Sequence, residues 1–127
     1  MRLVPIRALV ALLYMAFVLA LTALPGRQVA RWGLTSFLLD LAHIPLFTGL
    51  TLVSLWAVVG PRVQRLALVV TAIVAFAAAD EGMQRWVPGR VASLADFARD
   101  GLGIAIGIAL AEGFRPLAQA KRRESER

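Results

Sequence analysis

Residues 8–24, ALVALLYMAFVLALTAL, carry no charge. Such a run has few places to go. About 20 apolar residues in a helix cross the hydrocarbon core of a bilayer. A helix also satisfies its own backbone hydrogen bonds at that depth. The first expected span covers about residues 5–24. A second, about 37–59, has one acid and the chain's only histidine near its start. A third, about 63–86, has an apolar stretch of 14 residues, Leu66 to Ala79, with acids in its last turns. A fourth, about 94–114, carries Asp96, Arg99 and Asp100 in its first half. Four spans in 127 residues leave only short connections. The expected fold is therefore all-α, a single-domain integral-membrane four-helix bundle over residues 1–127 with a basic tail at 115–127.

Turn residues support these limits. Pro25-Gly26 follows the first segment and Gly60-Pro61 the second. Val87-Pro88-Gly89-Arg90 turns between the third and fourth. Ser93, with Asp96 three residues later, reads as a capping box opening the fourth helix. Trp32 and Trp86 fall at one set of helix ends and Trp56 near the other, as in an aromatic belt. Arg2 and Arg7 before an apolar run suggest a secretory signal. The uncharged run of 17 residues exceeds an ordinary signal core, and no clear A-x-A site follows. An uncleaved anchor helix is expected.

Composition agrees. The chain is 59% hydrophobic and 17% charged, against ~45–50% and ~25% in soluble domains. Disordered tails are excluded by that apolar content. Without cysteine there is no disulfide scaffold or thiolate metal site, and with His43 alone there is no histidine-cluster zinc or bis-histidine haem. No metal and no cofactor are expected.

The net charge of +6 is explained by orientation. With both termini on one side, that side holds nine cations against three acids, and the other holds five against five. The positive-inside rule makes the first side cytoplasmic. The tail KRRESER then orients the chain and touches anionic lipid headgroups. Nucleic acid is not expected as a partner. Membrane lipids are.

Polar residues at membrane depth are costly and are functional suspects by default. Here they gather at the outer ends of three helices. Asp40 and His43 share a face at the start of the second helix. Glu81 and Gln84 share a face at the end of the third, beside Asp80. Asp96 and Asp100 lie one turn apart at the start of the fourth, and Arg90 lies in the turn between. Each has an ordinary structural reading too. Asp40 and Asp96 suit helix N-termini. His43 suits a hydrogen-bonded packing position. Glu81 and Arg90 suit an ion pair, and Asp80 suits headgroup water. Gly103 and Gly107 read as a small-xxx-small helix contact. The Tyr14 hydroxyl asks for a partner on another helix. Pro45 frees the Leu41 carbonyl beside His43.

The stretch DEGMQRWVPGRVASLADFARDGLGIAIG resembles the signature of the VanZ-like family of small bacterial membrane proteins. That signature is an acid, Gln three later, a Pro-Gly-Arg turn, Ser, Asp, then Asn and two glycines four apart. It falls on Glu81, Gln84, Arg90, Ser93, Asp96, Gly103 and Gly107. A second family element, Asp three before His, matches Asp40 and His43, and YMAFVLALTALP resembles the first helix. Two positions depart: Asp100 stands in place of Asn, and Leu41 in place of a Lys after the Asp. The resemblance implies a multi-pass bacterial inner-membrane protein in the cell envelope, tied to antibiotic resistance because the family is named for a teicoplanin-resistance protein.

The function expected on this basis is a polar outer-face site engaging a lipid-linked or lipid-bearing molecule. Arg90 offers such a ligand a bidentate fork. Two alternatives stand beside it. One is a membrane enzyme on a lipid-linked substrate, using the carboxylates and His43 for acid–base work or to hold a divalent cation, although no nucleophile motif is present. The other is a structural or assembly subunit with a partner membrane protein.

Overall fold

A computed structural model describes residues 1–33, 35–88 and 93–113. Among the described residues the fold is all-α apart from one short strand pair. Helix α1 (Pro5–Thr22) begins with Pro5 in its first turn, where a missing N–H costs nothing. It is followed by a short helix α2 (Gly26–Arg31). Helices α3 (Ser36–Ala57), α4 (Arg62–Gln84) and α5 (Leu94–Gly113) complete the bundle.

Helix α2 lies where the sequence suggests only a turn. Its first amide bonds close on the Pro25 carbonyl, from Gln28 at 2.9 Å and Val29 at 3.3 Å. Val29 is buried, so this segment folds back onto the bundle. Gly33, at φ +73°, turns the chain away from α2 in a left-handed conformation that glycine adopts freely. Thr35 then caps α3, its Oγ1 accepting the Leu38 N–H at 3.3 Å.

Helix α3 continues through Pro45 and stops at Ala57, two residues short of the expected limit. Val58–Val59 (β2) leave the helix and pair antiparallel with Arg2–Leu3 (β1). β-Branched valines favour that extended form, and Gly60-Pro61 follows. The Val4 N–H donates to the Ala57 carbonyl at 3.0 Å, tying the start of α1 to the end of α3. Arg7 lies 4.8 Å over the Trp56 ring at the same end.

Helix α3 is the centre of the bundle. Helix α5 packs along it, α1 lies against it as well, and α4 touches both α3 and α5. The close α3–α5 approach depends on two glycines. A methyl group at Gly103 would stand 2.5 Å from the Ile44 carbonyl oxygen, and one at Gly107 would stand 2.6 Å from Thr51 Cβ. The Thr48 hydroxyl donates to the Gly103 carbonyl at 3.1 Å across this seam. Val18, Phe47, Leu50, Leu55, Val69, Ile73, Ala77 and Ile104 form the apolar core. The hydroxyl end of Tyr14 lies over Gly49 on α3.

Much of the outside is apolar. Leu9, Leu12, Leu13 and Phe17 on α1 are all at least half exposed. A water-exposed patch of that size would be an aggregation liability; in a bilayer it is ordinary lipid-facing surface. Three helical stretches, Pro5–Thr22, Phe37–Ala57 and Arg62–Gln84, are long and apolar enough to cross a membrane. Helix α5 spans about 30 Å at 1.5 Å per residue, but its acids and Arg99 set it apart from that group.

Candidate functional site

The polar side chains at one end of the bundle are held by helix ends. His43 sits two turns into α3 and stacks parallel to Phe47, with ring centroids 6.4 Å apart. Its Nδ1 lies 2.7 Å from Asp100 Oδ1 of α5. Both residues are buried. Glu81, at the end of α4, joins them. One ligand-capable atom from each of His43, Glu81 and Asp100 lies within 4.8 Å of the others. Three elements thus deliver one nitrogen and two carboxylates to one place.

Glu81 is also the clamp at the start of α5. Its Oε2 accepts the Ser93 backbone N–H at 2.9 Å. This corrects the capping-box reading. The Ser93 hydroxyl does cap the helix, accepting the Ala95 N–H at 3.1 Å. The reciprocal bond from Asp96 back to Ser93 N–H is replaced, because Glu81 of α4 takes that donor. Asp96 is buried and pairs instead with Arg99, one turn along. Arg99 also lies 3.9 Å from Asp40, the half-buried acid of α3.

Asp80 corrects a second expectation. It does not face headgroup water; only 1% of its surface is exposed. The Thr22 hydroxyl donates to its Oδ1 at 2.6 Å, and Gln84 Nε2 to its Oδ2 at 3.3 Å. Two neutral donors thereby satisfy both carboxylate oxygens. Gln84, expected to share a face with Glu81, bonds the other acid, one turn before it.

The sequence reading gives no site role to Thr22, Phe47 or Arg99, although it places Arg99 beside Asp96 and Asp100. Thr22 offers a signal as a hydroxyl in the last turn of α1 at the end where the acids collect, and Arg99 as a cation three residues after Asp96. Arg90, its proposed pair with Glu81, and the tail 115–127 lie outside the described residues.

Two carboxylate oxygens, Asp100 Oδ2 and Glu81 Oε1, are buried without a hydrogen-bond partner among the described residues. Both belong to the His43 cluster. Shallow grooves reach the polar region from three sides. One, of about 220 Å³, is lined by Leu21, Leu24, Val29, Trp32, Leu39 and Leu46, with Thr22 and His43 as its polar members. A second reaches Asp80 and Gln84, and a third reaches Glu81 and Ser93. An apolar slot with a hydrogen-bonding end can hold an amphiphile, whose tail and head need those two environments.

No family model, curated protein or solved structure matches this chain.

Proposed function

We propose that this chain is a VanZ-like, four-span protein of the bacterial inner membrane whose outer-face cluster engages a lipid-linked or lipid-bearing molecule. The carrying observation is the groove between α1, α2 and α3, apolar along its walls and opening on Thr22 and His43. An acyl chain fits the walls, and an attached polar group meets the buried network. The VanZ-like signature across residues 80–107 supports the same reading.

The way α5 lies supports a fourth span. Its first half meets His43 near the start of α3. At its other end Glu112 pairs with Arg62 at 2.6 Å and Arg65 at 3.1 Å, at the start of α4. Helix α5 therefore runs the length of its neighbours. If α3 and α4 cross the bilayer, α5 crosses beside them, with its polar half turned toward His43. Both termini are then cytoplasmic, on the side richer in arginine and lysine.

The test is drug sensitivity of a host expressing the protein. Teicoplanin, which carries an acyl chain, is compared with a glycopeptide lacking one. The wild type is expected to shift sensitivity to the acylated drug alone. Ala42→Trp, which narrows the groove, should abolish the shift at equal protein level. A shift of the same size for both drugs would reject a lipid-directed site. A wild type that shifts neither drug but co-purifies with a membrane partner would favour the assembly-subunit reading.

A further inference from the structure

The His43 cluster holds more acceptor capacity than its hydrogen bonds use. Asp100 is completely buried and Glu81 is 8% exposed, yet each has one carboxylate oxygen without a hydrogen-bond partner among the described residues. Unpaired acceptors at such depth are costly. We infer that His43, Glu81 and Asp100 bind one divalent transition-metal ion, of the Zn²⁺ or Mn²⁺ class.

Charge, donor type and spacing support the site. Two carboxylates bring two negative charges, and a metal-bound imidazole is neutral. A dication therefore makes the buried set neutral, whereas adjacent carboxylates without a compensating cation are strongly disfavoured in an apolar interior. One imidazole nitrogen with two carboxylate oxygens suits Zn²⁺ or Mn²⁺ better than Ca²⁺, which takes all-oxygen sets. The three ligand atoms, within 4.8 Å of one another, reach bonds of ~2.0–2.2 Å by small side-chain rotations. Outer groups already orient two of the ligands. The Ser93 N–H holds Glu81 Oε2, and Phe47 stacks on the His43 ring. Three protein ligands leave a coordination position for water or an anionic group.

This departs from the leading sequence reading, which expects no metal because the chain has one histidine and no cysteine, and takes up the divalent cation that the enzyme alternative allows these carboxylates and His43. That argument excludes nitrogen- and sulfur-rich sites but not a mixed site assembled from three helices. The inference does not depend on the lipid reading, since this chain alone supplies the three ligands.

Tag-free full-length protein, purified in detergent and stripped with chelator, is titrated calorimetrically with zinc or manganese chloride. The expected result is one ion per chain. Glu81→Gln and Asp100→Asn should each weaken binding by about tenfold or more. Glu112→Gln, at the opposite end of α5, should bind like the wild type. Removing a buried carboxylate can unfold a protein, so the wild type carries a second test. X-ray absorption of the zinc-loaded protein should show one imidazole among oxygen ligands. His43 is the only histidine, so that signal has a single source. Folded wild type that binds no stoichiometric ion, a zinc shell without imidazole, or unchanged binding in both carboxylate variants would each overturn the site.

Discussion

His43 Nδ1 and Asp100 Oδ1 lie 2.7 Å apart although 57 residues separate them in the chain. The pair joins α3 to α5 one turn from the glycine seam that lets those helices approach. Deleting one member strands the other in the interior. We expect Asp100→Ala to destabilise the detergent-purified protein by about 3 kcal/mol or more, the scale for breaking a buried pair. Asp100→Asn keeps an acceptor for the His43 N–H and should cost distinctly less. Thermal unfolding followed by circular dichroism ranks the two. Equal losses would mean that the carboxylate, not the hydrogen bond, holds the helices.

The seam itself can be tested with single methyl groups. Gly103→Ala and Gly107→Ala each place a Cβ against the backbone or side chains of α3, at 2.5 Å and 2.6 Å from the nearest atom. Each should destabilise the protein by about 1–3 kcal/mol. Gly101→Ala, where nothing lies within 4 Å of the added carbon, should stabilise α5 by about 0.5–1 kcal/mol through helix propensity. The same unfolding assay reads all three. A neutral Gly103→Ala would show that α3 and α5 are not in close register.

Thr22 and Asp80 join α1 to α4. Thr22→Val is nearly isosteric and removes the donor to Asp80 Oδ1. The expected cost is about 1–3 kcal/mol, the penalty for a buried acceptor left unpaired. In a double-mutant cycle with Asp80→Asn, the two losses should fall short of additive. Strict additivity would place the two groups outside each other's influence.

Orientation is open to chemical labelling, because the chain has no cysteine. Trp86, 88% exposed beyond α4, and Val63, 78% exposed at its start, mark opposite ends of that helix. In intact cells a membrane-impermeant maleimide should label Trp86→Cys and spare Val63→Cys. Labelling in the reverse sense would invert the proposed topology.

The apolar runs, Pro5, Pro25-Gly26 and Gly60-Pro61 dictate on their own that the chain is helical, and three of the four spans they predict are helices long and apolar enough to enter a bilayer. These are local properties: hydropathy and backbone restriction act within a turn or two and are written into consecutive residues. Helix α2 escaped because six residues cannot form a stable helix unaided; burial of Val29 supplies what local propensity lacks. The β1–β2 pair escaped because it joins residues 2 and 59. The polar end shows the same division. Helical spacing places Asp40, His43, Glu81, Gln84, Asp96 and Asp100 near helix termini, and it assigns faces. It does not say which acid meets which donor. That Asp80 takes Thr22, that Glu81 takes the Ser93 N–H, and that Asp100 takes His43 depends on the relative rotation and depth of four helices. Rotation and depth are set by packing at sites such as Gly103 against Ile44, between residues remote in sequence. Only the tertiary structure could therefore choose the partners, and with them the two carboxylate oxygens, unpaired among the described residues, on which the proposed metal site rests.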